Sequence, residues 1–473
     1  MCENLKELSE KLEKINSNLD TLLLNLNSSE YIKFGNYIIK SIQVNLNEHR
    51  AILNVGSISL KDAEKAIGEK ETLYISNFSF ENSFITSYKY TQNETHFTLA
   101  IGNLSFINND KHTFNVGIWE KPQQLNRIDS YINDNVNFTF LCFELYGIKF
   151  TIINQNDKLF LVADRDITED KFLKYTRGIK LALGFLMCDF IGGTNTFLLT
   201  DKNICSIENF KILNMIGEQN LNFNIMIDSL PTVGNKYQNK LNMPTKLSNI
   251  QFVNLCQLII ENPQVETAIH YIAQSANLSV EHKLTFLAVA LEALTGYVGE
   301  NITNEKNKVT NSTISINKLL PKKEFKVLQK KYDNMIDNYK LSSERDENEN
   351  NIIKAVLKGK FQNRKSNRDS LSQPFKLYNI ELSQDDISML EKRNDLLHGE
   401  PFDYNNEMQE DIKKFQNQAN IYYHLLYVLL LKIIGYEGVV FNLKAWLQIL
   451  NLNNNLFNQQ DNQNDTKDLF LEI

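Results

Sequence analysis

Apolar residues recur at helical spacing through the first 26 positions of the chain. They lie alternately three and four residues apart, at Leu5, Leu8, Leu12, Ile15, Leu19, Leu22 and Leu26. Residues with this spacing share one face of a helix, so the pattern predicts an amphipathic or coiled-coil helix over residues 1–30. Two interpretations remain open: a short coiled coil that joins two chains, or a helix whose apolar face lies on its own domain.

Short alternating runs replace this pattern over residues 31–229. Apolar and polar side chains alternate within segments such as 96–101 and 113–118, and turns rich in Asn and Asp separate these segments. Alternate residues of a strand face opposite sides of a sheet, so the pattern predicts a mostly antiparallel β domain. A helix is predicted inside this domain at 169–190, where apolar residues return to helical spacing.

A polar connector, residues 230–249, contains Pro and Gly and marks the predicted domain boundary. Helical spacing dominates residues 250–451, while Asn, Gln and Asp dominate residues 452–473 and predict a disordered tail. The predicted helices span 250–261, 263–277, 280–297, 317–339, 347–358, 384–397 and 406–434. The fold class predicted from this order is α+β, with an N-terminal mostly antiparallel β domain followed by an all-α helical bundle.

Composition narrows the function classes. The formal net charge of -7 argues against a protein that coats nucleic acid with its whole surface, although it allows a local basic site. The five cysteines form no C-x-x-C pair, which argues against a disulfide framework or a zinc site and favours a reducing, cytoplasmic location. The long apolar run at residues 421–434 is shorter than the roughly 18 residues of a transmembrane helix and contains His424 and Lys432, so we expect no membrane partner.

Residues 393–399, with the sequence RNDLLHG, are the strongest candidates for chemistry. They lie at the end of a predicted helix, because Gly399 and Pro401 are helix-stop residues. Arg393 and His398 are five positions apart, which presents a guanidinium and an imidazole together at the helix end.

This pair suits metal-free cleavage of RNA without a cofactor. Histidine is the side chain whose ordinary pKa lies nearest neutrality, so His398 can transfer protons, and the guanidinium of Arg393 can hold phosphate oxygens in a bidentate way. Asn394 can hydrogen-bond the phosphate or orient the histidine. One chain supplies one histidine here, whereas two chains would supply a base and an acid. The alternative is a helix C-terminus at which His398 only interacts favourably with the helix dipole.

The segment 393–399 resembles the signature of HEPN-domain ribonucleases, in which Arg, a polar residue and, after at least three more residues, His lie on a late helix of a bundle. Arg393, Asn394 and His398 match it position by position, and Phe286–Leu294 resembles the long early helix of that family. With a β-rich region in front, the chain is similar to ApeA-type anti-phage abortive-infection proteins. The resemblance covers about residues 263–431.

This resemblance implies an all-α HEPN-like nuclease bundle that works as a homodimer or higher homo-oligomer, with two motifs facing one cleft. It implies an endoribonuclease that cuts cellular RNA, with tRNA as one candidate, after a phage-derived trigger. The β domain would then sense infection or restrain the nuclease.

Glu292 lies in an apolar helical segment, between Leu291 and Ala293. A buried carboxylate needs a partner, and Arg393 is the natural candidate to support the site. The alternative is a partly exposed acid on the polar side of the helix. Both interpretations remain open.

A basic stretch precedes the candidate site and contains no acidic residue between its members. It comprises Lys354, Lys358, Lys360, Arg364, Lys365 and Arg368. A mobile basic loop of this kind could bind RNA phosphates beside the cleft. The alternative is an ordinary solvated surface.

Two other functions compete with the endoribonuclease. One is a HEPN-like module that binds RNA or a protein without cutting, joined to a ligand-sensing β domain. The other makes the β domain the working part, a sandwich for a ligand or glycan, with the helices as a dimerisation scaffold.

Overall fold

The computed structural model of this chain describes residues 5–24, 26, 31–46, 50–91, 94–108, 111–120, 136–137, 140–187, 194–214, 247–275, 278–309, 322–338, 367–397, 408–441 and 470–472. The chain divides into two compact units. The first, which we call the sheet unit, comprises Met1–Leu278 and Ile434–Ile473. The second, which we call the helical unit, comprises Ser279–Ile433.

The helices are α1 Leu5–Leu24, α2 Leu60–Lys65, α3 Glu169–Met187, α4 Asn249–Glu261, α5 Pro263–Ser275, α6 Val280–Val309, α7 Lys322–Asn338, α8 Asn367–Leu377, α9 Gln384–Leu397 and α10 Met408–Ile433. The strands are β1 Ile32–Phe34, β2 Ser41–Asn45, β3 Arg50–Asn54, β4 Lys70–Ile75, β5 Phe78–Tyr90, β6 Thr95–Ala100, β7 Asn103–Ile107, β8 Thr113–Glu120, β9 Val136–Asn137, β10 Phe140–Leu145, β11 Ile148–Gln155, β12 Lys158–Thr168, β13 Thr194–Thr200, β14 Ile207–Asn214, β15 Val439–Phe441 and β16 Phe470–Glu472.

Within the part of the chain that the structure describes, β1 to β14 form one 14-stranded antiparallel sheet. The order is β2-β3-β6-β5-β7-β14-β13-β8-β12-β11-β10-β9, and β4 pairs with both β5 and β1. The long strand β5 makes this branch possible, because its first half lies between β4 and β7 while its second half pairs with β6. The N-terminal β region predicted from the alternating runs is consistent with this sheet.

Helix α1 lies on the sheet of its own unit. Leu12, Ile15 and Leu19 are buried in one apolar cluster with sheet residues. Two polar contacts flank this seam: Ser9 Oγ donates to Gln155 Oε1 at 2.8 Å, and Lys158 Nζ donates to Asn16 Oδ1 at 2.9 Å. Of the two interpretations of the heptad pattern, the structure therefore favours the helix that covers its own domain.

Helices α3, α4 and α5 also belong to the sheet unit. Helices α3 and α4 pack against the sheet, and α5 packs against both of them. Phe172 of α3 meets Phe197 of β13 edge to face, with 5.2 Å between the ring centroids. Helices α3 and α4 approach closely at Gly178, where an added Cβ would lie 2.3 Å from Cγ1 of Ile260.

Helix α4 begins at a capping box, in which the side chains of Ser248 and Gln251 each bind the other's backbone N–H. Its Phe252 packs edge to face on Phe143 of β10, with 5.2 Å between the ring centroids. The chain returns to this helix after α10, where Gln251 Nε2 donates to the carbonyl oxygen of Gly435 at 2.8 Å.

The predicted fold class, an N-terminal mostly antiparallel β domain followed by an all-α HEPN-like bundle over residues 250–451, is wrong. Helices α4 and α5 belong to the sheet unit, and β15 lies inside the range predicted to be all-α. Strand β15 pairs antiparallel with β16, which lies in the tail predicted to be disordered. Helical periodicity identifies a helix, but it does not specify the surface on which that helix packs.

The helical unit is organised around α6, against which α8, α9 and α10 all pack. The buried residues of α6 recur at helical spacing and include Leu284, Leu287, Leu291, Leu294 and Val298. Residues 230–246 of the predicted connector and the predicted helix at 347–358 lie outside the described residues. Among the residues that the structure describes, no helix has the combined length and apolarity needed to cross a membrane.

Candidate functional site

Helix α9 carries the candidate motif and begins at a polar cap. The backbone N–H and the Oγ of Ser383 donate to Asp386 Oδ2 at 2.9 and 2.7 Å, and the N–H of Asp386 donates back to Ser383 Oγ at 3.2 Å. This reciprocal arrangement is a capping box with Asp in place of the usual Glu or Gln. It determines where the helix starts, and therefore which residues occupy its later turns.

Arg393 occupies a core-facing position of α9. Among the side chains of this helix that the structure describes, those of Asp386, Met389, Leu390 and Arg393 are buried, and their spacing places them on one helical face. Because α9 packs against both α6 and α10, the pattern calls for an apolar side chain where the sequence has arginine. The last turn continues with Leu396, which is half-buried.

The guanidinium of Arg393 forms an ion pair with Glu292 of α6, between Nη2 and Oε1. The Arg393 side chain is 11% exposed and that of Glu292 is 56% exposed. Both interpretations of Glu292 are thus partly right, because the acid lies on the exposed side of its helix and still pairs with Arg393. The pair directs a largely buried cation towards a carboxylate that water can reach.

Helix α10 supports α9 at the turn before Arg393. The hydroxyl of Tyr422, a fully buried residue of α10, donates to the carbonyl oxygen of Met389 at 2.7 Å. The sequence interpretation missed this contact, because a tyrosine within an apolar helical run resembles any other core residue. It also missed the Ser383–Asp386 cap, although S-x-x-D before a helix is a recognisable signal.

The other predicted site residues can be placed only in part. Asn394 lies in α9 and Arg368 in α8, which packs against α6 and α9, but the structure describes the side chain of neither. His398 and the predicted RNA-binding residues Lys358, Lys360, Arg364 and Lys365 lie outside the described residues.

Elsewhere, a polar cluster joins α3 to α5 in the sheet unit. Arg177 Nε pairs with Glu266 Oε1, and Arg177 Nη2 lies 3.4 Å from His270 Nε2. Burial and then the Arg177 charge lower the pKa of His270. Within the described ranges, no group of three or more His, Cys, Asp or Glu side chains could hold a metal ion.

Comparisons with models of known protein families, with curated proteins and with solved structures give no match to this chain.

Proposed function

We propose that this protein is a metal-independent endoribonuclease whose active site contains Arg393, Asn394 and His398, with Glu292 as a supporting residue. The observation that carries the proposal is the nearly buried guanidinium of Arg393 beside the exposed carboxylate of Glu292. Removing a charge from water costs several kcal/mol per ion, and an apolar side chain at this core-facing position would avoid that cost. A charged group at such a position is a candidate for a functional residue.

The proposed chemistry is a transesterification at phosphorus. A base removes the proton of the ribose 2′-OH, the 2′ oxygen attacks the phosphorus, and an acid protonates the departing 5′ oxygen. The products are a 2′,3′-cyclic phosphate and a 5′-hydroxyl. Arg393 stabilises the charge on the non-bridging oxygens, and histidines from two copies of the chain serve as base and acid. The proposal therefore includes a homodimer or a higher homo-oligomer.

The cellular role proposed here follows the resemblance of the 393–399 motif to HEPN-domain ribonucleases. In this role, the enzyme acts in the cytoplasm in abortive infection, as a toxin that cuts cellular RNA such as tRNA in response to a phage-derived trigger. The sheet unit senses that trigger or restrains the nuclease. Lys358, Lys360, Arg364, Lys365 and Arg368 contribute to RNA binding.

The test of this proposal is RNA cleavage by purified Arg393→Ala and His398→Ala variants. We expect each to lose at least about a hundredfold in cleavage rate. Arg165→Ala is the matched control, because Arg165 also pairs with a carboxylate, Asp164, but is 58% exposed and lies in the sheet unit. We expect this control to cleave at the wild-type rate.

Cleavage should be insensitive to EDTA, and mapping of the RNA ends should find cyclic or 3′-phosphates opposite 5′-hydroxyls. Wild-type cleavage by either motif variant would disprove the proposal. Chelator-sensitive cleavage would indicate a metal nuclease instead. RNA binding without cleavage would support the non-catalytic module.

A further inference from the structure

Tyr422 makes a hydrogen bond that packing alone does not require. Its ring is fully buried in the helical unit, and its hydroxyl donates to the Met389 carbonyl oxygen at 2.7 Å. Met389 lies in the middle of α9 rather than in its last turn, where carbonyls lack helical partners. The tyrosine therefore binds an oxygen whose helical hydrogen bond is already in place.

The second donor to that oxygen comes from the candidate site. In an α-helix the carbonyl of residue i accepts from the N–H of residue i+4, so the Met389 oxygen accepts from the backbone N–H of Arg393. The Tyr422 hydroxyl and the Arg393 N–H thus share one acceptor. Movement of the Arg393 backbone away from α10 would stretch a hydrogen bond that the buried tyrosine holds in position.

The helix that carries Tyr422 contacts both helices of the Arg393–Glu292 ion pair. Helix α10 packs on α6, which carries Glu292, and on α9, which carries Arg393. Helix α10 therefore packs on the helices that carry both members of the ion pair. The Tyr422 hydroxyl connects α10 to the turn of α9 that precedes Arg393 and so helps to fix the position of the guanidinium. The start of α9 is separately anchored by the Ser383–Asp386 cap.

We infer that Tyr422 is a positioning residue for the nuclease reaction, which holds Arg393 through the shared Met389 oxygen. This inference rests on the proposed function, since it assigns Arg393 to the reaction. Positioning matters because small displacements of a group that stabilises a transition state cost a large part of the rate. The tyrosine itself does not touch RNA.

The test compares Tyr422→Phe with Tyr146→Phe. Both substitutions remove one hydroxyl that donates at 2.7 Å, to Met389 O and to Glu261 Oε1 respectively, and the second lies in the sheet unit. Phenylalanine keeps the ring volume, so both variants are expected to fold. Measurements are made on the full-length protein: amide hydrogen exchange across α9, and single-turnover cleavage at saturating RNA.

We expect Tyr422→Phe to speed exchange of the Arg393 amide by about tenfold and to lower the saturated cleavage rate by about tenfold, with little change in RNA affinity. Tyr146→Phe should change neither quantity. Unchanged exchange in α9 would overturn the inference. So would faster exchange with an unchanged saturated rate.

Failure of the proposed function is distinguishable from failure of this inference. If Arg393→Ala cleaves RNA like the wild type, the nuclease proposal fails, and Tyr422 can no longer be a positioning residue for that reaction. If Arg393→Ala abolishes cleavage while Tyr422→Phe does not affect it, only the role of Tyr422 is disproved.

Discussion

At the scale of single residues, Arg393 and Glu292 determine the character of the candidate site. Arg393 lies on the buried face of α9, where its neighbours Met389 and Leu390 have apolar side chains. Glu292 lies beside the buried face of α6 but remains 56% exposed. The pairing could be proposed from the sequence, because a charge within an apolar helix needs a partner. The degree of exposure could not, because it depends on how α6 and α9 pack.

Replacing Glu292 should destabilise the helical unit. Glu292→Ala removes the carboxylate that pairs with the nearly buried guanidinium, so we expect the free energy of unfolding to fall by about 1–2 kcal/mol. Glu292→Gln keeps a hydrogen-bond acceptor and should cost less. Urea denaturation followed by circular dichroism measures both variants.

The control for these variants is Glu324→Ala, a change at an exposed acid near the start of α7. We expect it to alter the unfolding free energy by no more than about 0.5 kcal/mol. Equal stability of Glu292→Ala and Glu324→Ala would show that the ion pair contributes nothing to the fold.

At the scale of elements, the local sequence pattern predicted the helix that contains Arg393. The prediction of a helix at 384–397 matches the described range of α9, because helical apolar spacing repeats within a few positions. The tail at 470–472 was predicted to be disordered, yet it forms β16, since a strand of three residues depends on its distant partner β15.

The contact between α3 and α4 gives a prediction at this scale. Gly178→Ala would place a methyl group 2.3 Å from Ile260 Cγ1, and the β-branched isoleucine has little freedom to move. Overpacking costs about 1–3 kcal/mol, while the better helix propensity of alanine returns about 1 kcal/mol. We therefore expect a net loss in the free energy of unfolding.

The matched control is Gly296→Ala in α6. An added Cβ there meets no atom within 4 Å, so only the helix propensity changes. We expect a gain of about 0.5–1 kcal/mol in the free energy of unfolding, measured by urea denaturation. A stabilising effect of both substitutions would show that α3 and α4 can separate without cost.

At the scale of the whole molecule, the division into units differs from the predicted division along the chain. The sheet unit includes α4, α5 and the C-terminal strands β15 and β16. The helical unit is therefore limited to Ser279–Ile433. The heptad pattern of α1 also contributes to the core of the sheet unit, because its apolar seam is buried on the sheet.

Assembly of the protein should therefore be independent of α1. Leu19, which is 5% exposed, packs on the sheet, so Leu19→Ala should lower the free energy of unfolding by about 2–4 kcal/mol without changing the mass measured by light scattering. Leu24→Ala is the control, because Leu24 is 78% exposed and should tolerate the change. A fall in mass with unchanged stability would restore the coiled-coil interpretation.

The sequence by itself determined what depends on near neighbours. Alternation predicted the N-terminal strands, three-and-four spacing predicted α1, helical spacing predicted α9, and the segment 393–399 indicated the residues that could carry chemistry. These signals are local because strand and helix periodicities repeat within a few residues.

Only the tertiary structure decided which surfaces meet. It assigned α4 and α5 to the sheet unit, buried the seam of α1, paired Arg393 with Glu292 and placed the Tyr422 hydroxyl on the Met389 oxygen. Each of these contacts joins residues far apart in the chain. Apolar burial, which drives such contacts, is proportional to area and has no direction, so the pattern of one segment cannot specify its partner.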